Sequence, residues 1–416
     1  MKKLIFAAAL LCGATPVMAQ EVDGLILPKG FHAQMVADGL GPIRHMALRG
    51  RDIYISTRHG AKAPSVGIIA LRLAPDHTVL QKASFGIDTA DQGTGIKVWK
   101  GYLYAASGTQ VQRFALDDML VPTKSEVIVD GITPSNHPIA FDGKGSLYVS
   151  IDGGGGTNNC PDPKNPKEAK PVGLKPCPLL DYRGGIWRFD ENKTGQKLAD
   201  GEHFATGIRN SSALDWRDGD GLYLINHGRD GTSKGWPEII SQADDDAIPD
   251  EMFKVTKGTD MGWPYTYWDG VKKVRLNAPE YGGDGKTVVA DSKYAKPVVA
   301  FHQLRPATLD LTFYKGTQFP AQYRGGAFVA MHGGNDPAIV PGGRKGYNVM
   351  FVPFRGGKPG TPVAFADGFA GPTPEHKNIK QATYRPVGVA VGPDGALYVA
   401  DSNKGRIWRI YYGDKG

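Results

Sequence analysis

Gly145-Ser146-Leu147-Tyr148-Val149 returns near the far end of the chain as Gly395-Ala396-Leu397-Tyr398-Val399. Between and before these two lie four further forms: Asp52-Ile53-Tyr54-Ile55, Gly101-Tyr102-Leu103-Tyr104-Ala105, Gly221-Leu222-Tyr223-Leu224 and Gly326-Ala327-Phe328-Val329. Each is followed, directly or after an insertion, by a second short apolar segment: 67–72, 111–114, 186–189, 252–255, 347–351 and 407–410. Short β-branched and aromatic runs behind a glycine read as strands, and two in succession read as an antiparallel hairpin. A hairpin cannot cover its own apolar faces, so six copies must cover one another. Each copy has about 66 residues, room for four strands plus insertions, and radial stacking buries every face while leaving only short edges. The expected fold is therefore all-β, a six-bladed β-propeller of four-stranded antiparallel sheets. A sandwich of similar strands is the alternative, and the regularity of the copies disfavours it.

Composition agrees. Of 416 residues, 41% are hydrophobic and 22% charged, which excludes a disordered or collagen-like chain. The 56 glycines and 30 prolines demand many turns and few long helices. The formal charge of +7 is a mildly basic surface and no argument for nucleic acid, so none is expected as a partner. Residues 1–19 read as a secretory signal, with Lys2 and Lys3, an apolar stretch from Leu4 to Leu11, and a small-residue cleavage site at Val17-Met18-Ala19 before Gln20. No later run reaches the roughly 18 residues that a membrane helix needs, so the mature part, 20–416, is expected to be a single exported propeller in the periplasm that does not span a membrane. Beyond the leader only Cys160 and Cys177 remain, around a Pro/Lys-rich segment. An oxidising compartment favours a disulfide, which at this loop size contributes about 3 kcal/mol by limiting the unfolded chain. No C-x-x-C-H is present, so no haem is built in.

The long insertions 152–185, 226–250 and 331–346 follow the tyrosine strand of their own copy and should gather at one mouth of the channel, where a functional site is expected. Four groups of residues sit there. Ser135-Asn136-His137-Pro138 precedes a repeat strand, and His137 at the mouth could act as a general base or be an ordinary hydrogen-bonded loop histidine. Gly207-Ile208-Arg209-Asn210 offers the fixed donor fork of Arg209 beside the neutral donor of Asn210, unless Arg209 simply pairs with an acid. Asn226-His227-Gly228-Arg229-Asp230-Gly231, with Asp244-Asp245-Asp246 and Pro249-Asp250-Glu251 behind it, has the carbonyls and carboxylates that suit a hard cation, or is a solvated acidic turn. Arg344, Lys345 and Arg385 would join Arg209 as a cationic cluster for a multiply anionic ligand if the ring closes.

In this order the motifs resemble the glucose/sorbosone dehydrogenase family of quinoproteins, in its sorbosone and pyranose dehydrogenase branch. Gly207-Ile208-Arg209-Asn210 is similar to the family's Gly-Leu-Arg-Asn turn, and Asn226-His227-Gly228-Arg229 to its Glu-His/Gln-Gly-Pro segment. Met261-Gly262-Trp263-Pro264, the stretch from Phe313 to Gly333, and Arg385-Pro386-Val387-Gly388 through Asp401 continue the match. The resemblance implies pyrroloquinoline quinone (PQQ) and Ca²⁺ as cofactors and oxidation of a sugar or related alcohol or aldehyde by hydride transfer to the quinone. It further implies His137 as the base, Arg209 and Asn210 on the quinone oxygens, and Gln92 beside the cofactor. Arg385 with Arg344 or Lys345 would hold the cofactor carboxylates, and the main-chain carbonyls of Gly228 and Arg229 would ligate Ca²⁺. Electrons would leave to a separate acceptor, a periplasmic cytochrome or a quinone. Two places depart from the pattern. His332-Gly333-Gly334-Asn335-Asp336-Pro337 stands where relatives have His-Gly-Ser-Trp-Asn-Arg, and Arg229 brings a charge where proline is usual. A metal-dependent sugar lactonase and a non-catalytic binding propeller are the alternatives. The first would want several carboxylates on its metal, and the second would need neither a histidine base nor an arginine cluster.

Overall fold

A strand buried on both faces sends alternate side chains into two different neighbours. The repeated hairpins do this six times over. The computed structural model describes residues 19–22, 24–57, 67–86, 93–154, 156–162, 170, 172–290, 293–302, 306–334 and 345–413. Within them the strands Ile43–Arg49, Asp52–Thr57, Ile68–Leu73 and Val79–Phe85 form blade 1, and Ile96–Trp99, Tyr102–Ser107, Gln110–Ala115 and Ser125–Asp130 form blade 2. Blade 3 holds Ile139–Phe141, Ser146–Ile151, Gly185–Asp190 and Glu202–Thr206, and blade 4 holds Ala213–Arg217, Gly221–Asn226, Asp250–Val255 and Val299–Phe301. Blade 5 follows with Thr308–Phe313, Ala327–Met331, Asn348–Val352 and Val363–Ala366. Blade 6 is closed from the other end of the chain: Phe31–Ala37 pairs antiparallel with Ile407–Tyr412, outside Leu397–Asp401 and Pro386–Val391. Every repeated tyrosine strand is the second strand of its blade, and every partner segment is the third.

The recurrent aromatic now has a reason. Tyr54, Tyr104, Tyr148, Tyr223, Phe328 and Tyr398 each pack into the gap between their own blade and the next. Their neighbours in sequence, such as Leu147 and Val149 beside Tyr148, turn to the preceding gap. Six apolar clusters result, one between each pair of adjacent blades. The one joining Ile53, Ile55 and Ile69 to Tyr398, Ala400 and Ile407 closes blade 6 onto blade 1. The sheets depart from plain four-stranded blades in two places. Gln196–Lys197 adds a parallel fifth strand to the edge of blade 2, and Thr259–Asp260 does so for blade 3, covering edges that would otherwise be open.

The inner strands line an axial channel whose middle is crossed by titratable side chains. Lys97 Nζ lies 3.0 Å from Asp215 Oδ1, and His45 Nδ1 lies 3.7 Å from Asp310 Oδ1. These carboxylates also tie blades together, Asp215 accepting from Phe313 N (2.9 Å) and Asp310 from Val389 N (2.9 Å). Burial drives the Asp310 carboxyl up to about 7 against the pull of Lys97, and burial with nearby Arg44 drives His45 down to about 3. Below this layer a cavity of about 540 Å³ opens toward the hairpin turns. Above it lies the mouth.

Candidate active site at the channel mouth

The mouth is a cavity of about 1120 Å³ walled by the starts of the inner strands and by the insertions. Arg44, Arg209, Asn210, His227, His332 and Arg385 all line it, so residues scattered along the chain share one chamber. Arg209 is positioned by its backbone first. Gly207 takes φ 84°, and a Cβ there would sit 2.4 Å from Asp260 Oδ1 and from Gly262 N. The Asn226 carboxamide oxygen then accepts from the backbone N–H of both Arg209 (3.1 Å) and Asn210 (3.3 Å). The guanidinium donates from Nε to Asn158 Oδ1 (2.9 Å), from Nη1 to Gly228 O (2.8 Å) and from Nη2 to Asp230 Oδ1 (3.0 Å). Asn136 Nδ2 donates to Asn210 Oδ1 at 3.3 Å. Across the chamber, Arg385 donates to the carbonyls of His332 (3.2 Å), Gly333 (2.5 Å) and Gly334 (3.2 Å), while Asp401 Oδ1 accepts from its backbone N–H.

The expectation for His137 is not met. Its ring is fully buried, with Nδ1 3.1 Å from Ser150 O and Nε2 3.0 Å from Gly108 O. The backbone sits at φ 46°, and the ring lies between blades 2 and 3 and not among the residues lining the mouth. Burial holds its pKa below the ordinary value, and no ring nitrogen faces the cavity. The imidazoles that do line the chamber are His227, whose Nε2 lies 2.6 Å from Thr308 O, and His332, whose Nε2 lies 2.7 Å from Ser402 Oγ.

The turn expected to hold Ca²⁺ is already engaged. Gly228 O accepts from Arg209 Nη1, and Asp250 accepts from Gly228 N (3.1 Å) and from Thr308 N and Oγ1 (2.9 Å each). A divalent cation at the Gly228 carbonyl would sit against a guanidinium, so that carbonyl does not fit one. Among the described residues no three or more His, Cys, Asp or Glu side chains gather as a metal site. The Arg229 charge is no obstacle in itself. It is buried in an ion pair with Glu280 (2.5 Å), its Nε donates to Thr232 Oγ1, and its guanidinium lies 5.1 Å above the Tyr267 ring.

Lys345 is exposed and is not among the residues lining the mouth. Gln92 and Arg344 lie outside the described residues. Sequence reasoning missed Arg44, although it opens the inner strand of blade 1 much as Arg385 opens that of blade 6. Aligning the blade starts as well as the hairpins would have found it. The expected disulfide is present between Cys160 and Cys177.

Fold and site together define a six-bladed propeller with an arginine-lined channel mouth. Residues 25–413 match the TrAA12-like family model, and the chain belongs to that family. In structure it is similar to a carbohydrate-active enzyme of family AA12 from Trichoderma reesei, with TM-score 0.71 and 17% identity over 95% of this chain and 99% of that one. It is similar to the holo pyranose dehydrogenase PQQ domain from Coprinopsis cinerea, with TM-score 0.68 and 17% identity over 93% and 97%. A third likeness, with TM-score 0.55 and 18% identity over 92% and 99%, is to the PQQ-bound aldose sugar dehydrogenase from Streptomyces coelicolor. At these identities the likeness shows the fold. An uncharacterized protein of Borreliella burgdorferi is 26% identical over 218 residues, 51% of this chain, and the match spans about half of that protein's own length (49%). Among the described residues no helix is long and apolar enough to cross a membrane.

Proposed function

We propose that this protein is a PQQ-dependent dehydrogenase of a sugar or related alcohol or aldehyde. The observation that carries the reading is the chamber in which Arg44, Arg209 and Arg385 meet from three sectors of the ring. Guanidinium forks around a water-accessible cavity suit a flat ligand bearing several carboxylates, and the quinone supplies the two-electron acceptor when bound. Relatives of the same architecture are a pyranose dehydrogenase PQQ domain and a PQQ-bound aldose sugar dehydrogenase, which points to the same cofactor and substrate class here. Arg44 and Arg385 would hold the cofactor carboxylates, and Arg209 and Asn210 would donate to the quinone oxygens. His332, which lines the chamber with Nε2 2.7 Å from Ser402 Oγ, takes the proton of the substrate hydroxyl in this reading. No step is assigned to Ca²⁺, because Arg209 holds the carbonyl it would need. We further propose that residues 1–19 are an export signal and the site of action is the periplasm, in keeping with the disulfide, and that a separate protein or quinone takes the electrons.

The test is reconstitution. Protein purified without PQQ should gain sugar:dye oxidoreductase activity on its addition, with a change in quinone absorbance. Neither change across a panel of sugars and alcohols would overturn the reading.

A further inference from the structure

Arg209 is held at its Nε by a residue from another blade. Asn158 lies in the insertion between the second and third strands of blade 3, and its carboxamide bridges two partners. Oδ1 accepts from Arg209 Nε at 2.9 Å, and Nδ2 donates to Asp230 O at 2.6 Å. Asp230 in turn takes Arg209 Nη2 on its carboxylate. Gly228 O and Asp230 Oδ1 hold the two Nη groups, and the carboxamide adds the third anchor, at Nε, while tying the Asp230 backbone to the same side chain.

Among its described residues the insertion has no strand of its own, so something else must hold Asn158 still. Two residues on, Cys160 is bridged to Cys177. The two cysteine N–H groups donate to tyrosine hydroxyls from one segment of chain: Cys160 N to Tyr281 Oη (2.9 Å) and Cys177 N to Tyr265 Oη (2.7 Å). The two tyrosine rings lie edge to face at 5.0 Å. Gly173 N donates to Glu280 O (2.9 Å), and Trp263 Nε1 donates to Thr157 O (2.9 Å), beside Asn158. Glycines let the insertion approach this closely. A Cβ on Gly153 would lie 2.5 Å from the Trp263 ring, and Gly153 N donates to Arg209 O (2.9 Å). Gly156 lines the chamber at φ 84°, where a Cβ would meet Asn210 Nδ2 at 3.4 Å and Arg209 Nη2 at 3.6 Å.

We infer that Asn158 is a positioning residue for Arg209 and that the Cys160–Cys177 disulfide, whose cysteine N–H groups are held by Tyr281 and Tyr265, is the frame that holds it. Quinone binding is then sensitive to the redox state of a disulfide that touches neither substrate nor cofactor. This rests on the proposed function only for what Arg209 binds. The geometry of the support stands without it.

The experiment uses the full mature chain, with variants Asn158→Ala, Asn158→Asp and the Cys160→Ser/Cys177→Ser pair. PQQ titration followed by quinone absorbance, kcat and KM separately, thermal midpoint, and amide hydrogen exchange over residues 207–212 are measured together. Loss of one hydrogen bond to a charged group predicts about ten-fold weaker PQQ binding in Asn158→Ala, several-fold faster exchange at 207–212, and a midpoint close to that of the parent. Asn158→Asp keeps the acceptor for Nε but sets a carboxylate against the Asp230 carbonyl in place of a donor, so it recovers only part of the affinity. The cysteine pair, or dithiothreitol on the parent protein, weakens PQQ binding in the same direction. Parent-like affinity and exchange in Asn158→Ala would overturn the inference, whatever the cysteine variants do. A parent protein that binds no PQQ at all overturns the functional reading alone, because the exchange measurement needs no quinone and still decides the positioning role.

Discussion

His137 and His332 separate two tasks that one residue type can perform. At His137 both ring nitrogens face main-chain carbonyls in a dry gap, and the ring joins the strand Ser146–Ile151 of blade 3 to Gly108, beside the strand Tyr102–Ser107 of blade 2. At His332 one nitrogen meets a serine hydroxyl and the ring borders the chamber. Proton transfer by a positioned base contributes about 10²–10⁴-fold to rate, so His332→Ala should lose on that order in kcat while PQQ still binds. His137→Gln should instead lower the unfolding midpoint and leave kcat within a few-fold of the parent. A His332→Ala variant with normal turnover would remove that residue as the base, and a folded His137→Gln protein with collapsed turnover would restore the position just before blade 3. Which histidine faces the chamber was not legible in the sequence. A histidine directly before an inner strand can point to the channel or to the blade gap, and the positive φ of His137 leaves no mark in residue type.

Elements were far more legible than side-chain directions. All six hairpins fall where alternation and the recurring tyrosine put them, because a strand buried on both faces cannot hide its composition. The inner strands were harder: Ile139–Phe141 has three residues and Ile96–Trp99 four, too few to show a period. Closure by Phe31–Ala37 carried no signal at all, since pairing between the two ends of a chain is a long-range event. Its energetics are nonetheless local. Phe31 is fully buried, with ring centroids 4.8 Å from Phe319, 5.3 Å from Tyr323, 5.0 Å from Phe365 and 5.0 Å from Tyr412. Phe31→Ala should therefore cost about 3–5 kcal/mol in denaturant unfolding, as large aromatic deletions do. Met35 on the same strand is 52% exposed, and Met35→Ala should stay within about 0.5 kcal/mol. Equal losses at the two positions would mean that the strand contributes by pairing alone and not by the aromatic cluster it inserts.

For the molecule as a whole, the titratable layer across the axis should govern how stability follows pH. Asp310 is faced by His45, by Lys97 and by Asp215, each from a different blade. Its folded carboxyl titrates near 7 instead of the ordinary 3.8, because burial disfavours the charged form. A pKa raised by folding gives stability that is complete below the unfolded value and lost as pH climbs through the folded one. Asp310 thus withdraws stability between about pH 4 and 7. Glu251, buried beside Arg275 and raised to about 7 by the same cause, acts in the same direction. His45 opposes them, since its depressed pKa near 3 gives stability that is present above about 6.5 and lost as pH falls. The raw profile mixes these slopes, but a difference profile isolates one. Asp310→Asn cannot ionise, so the stability of the parent relative to this variant should decline as pH rises from 4 to 7 and level off above. Denaturant unfolding of both proteins at several pH values checks it, and a flat difference would mean that Asp310 stays ionised in the fold, held by Lys97 across the channel.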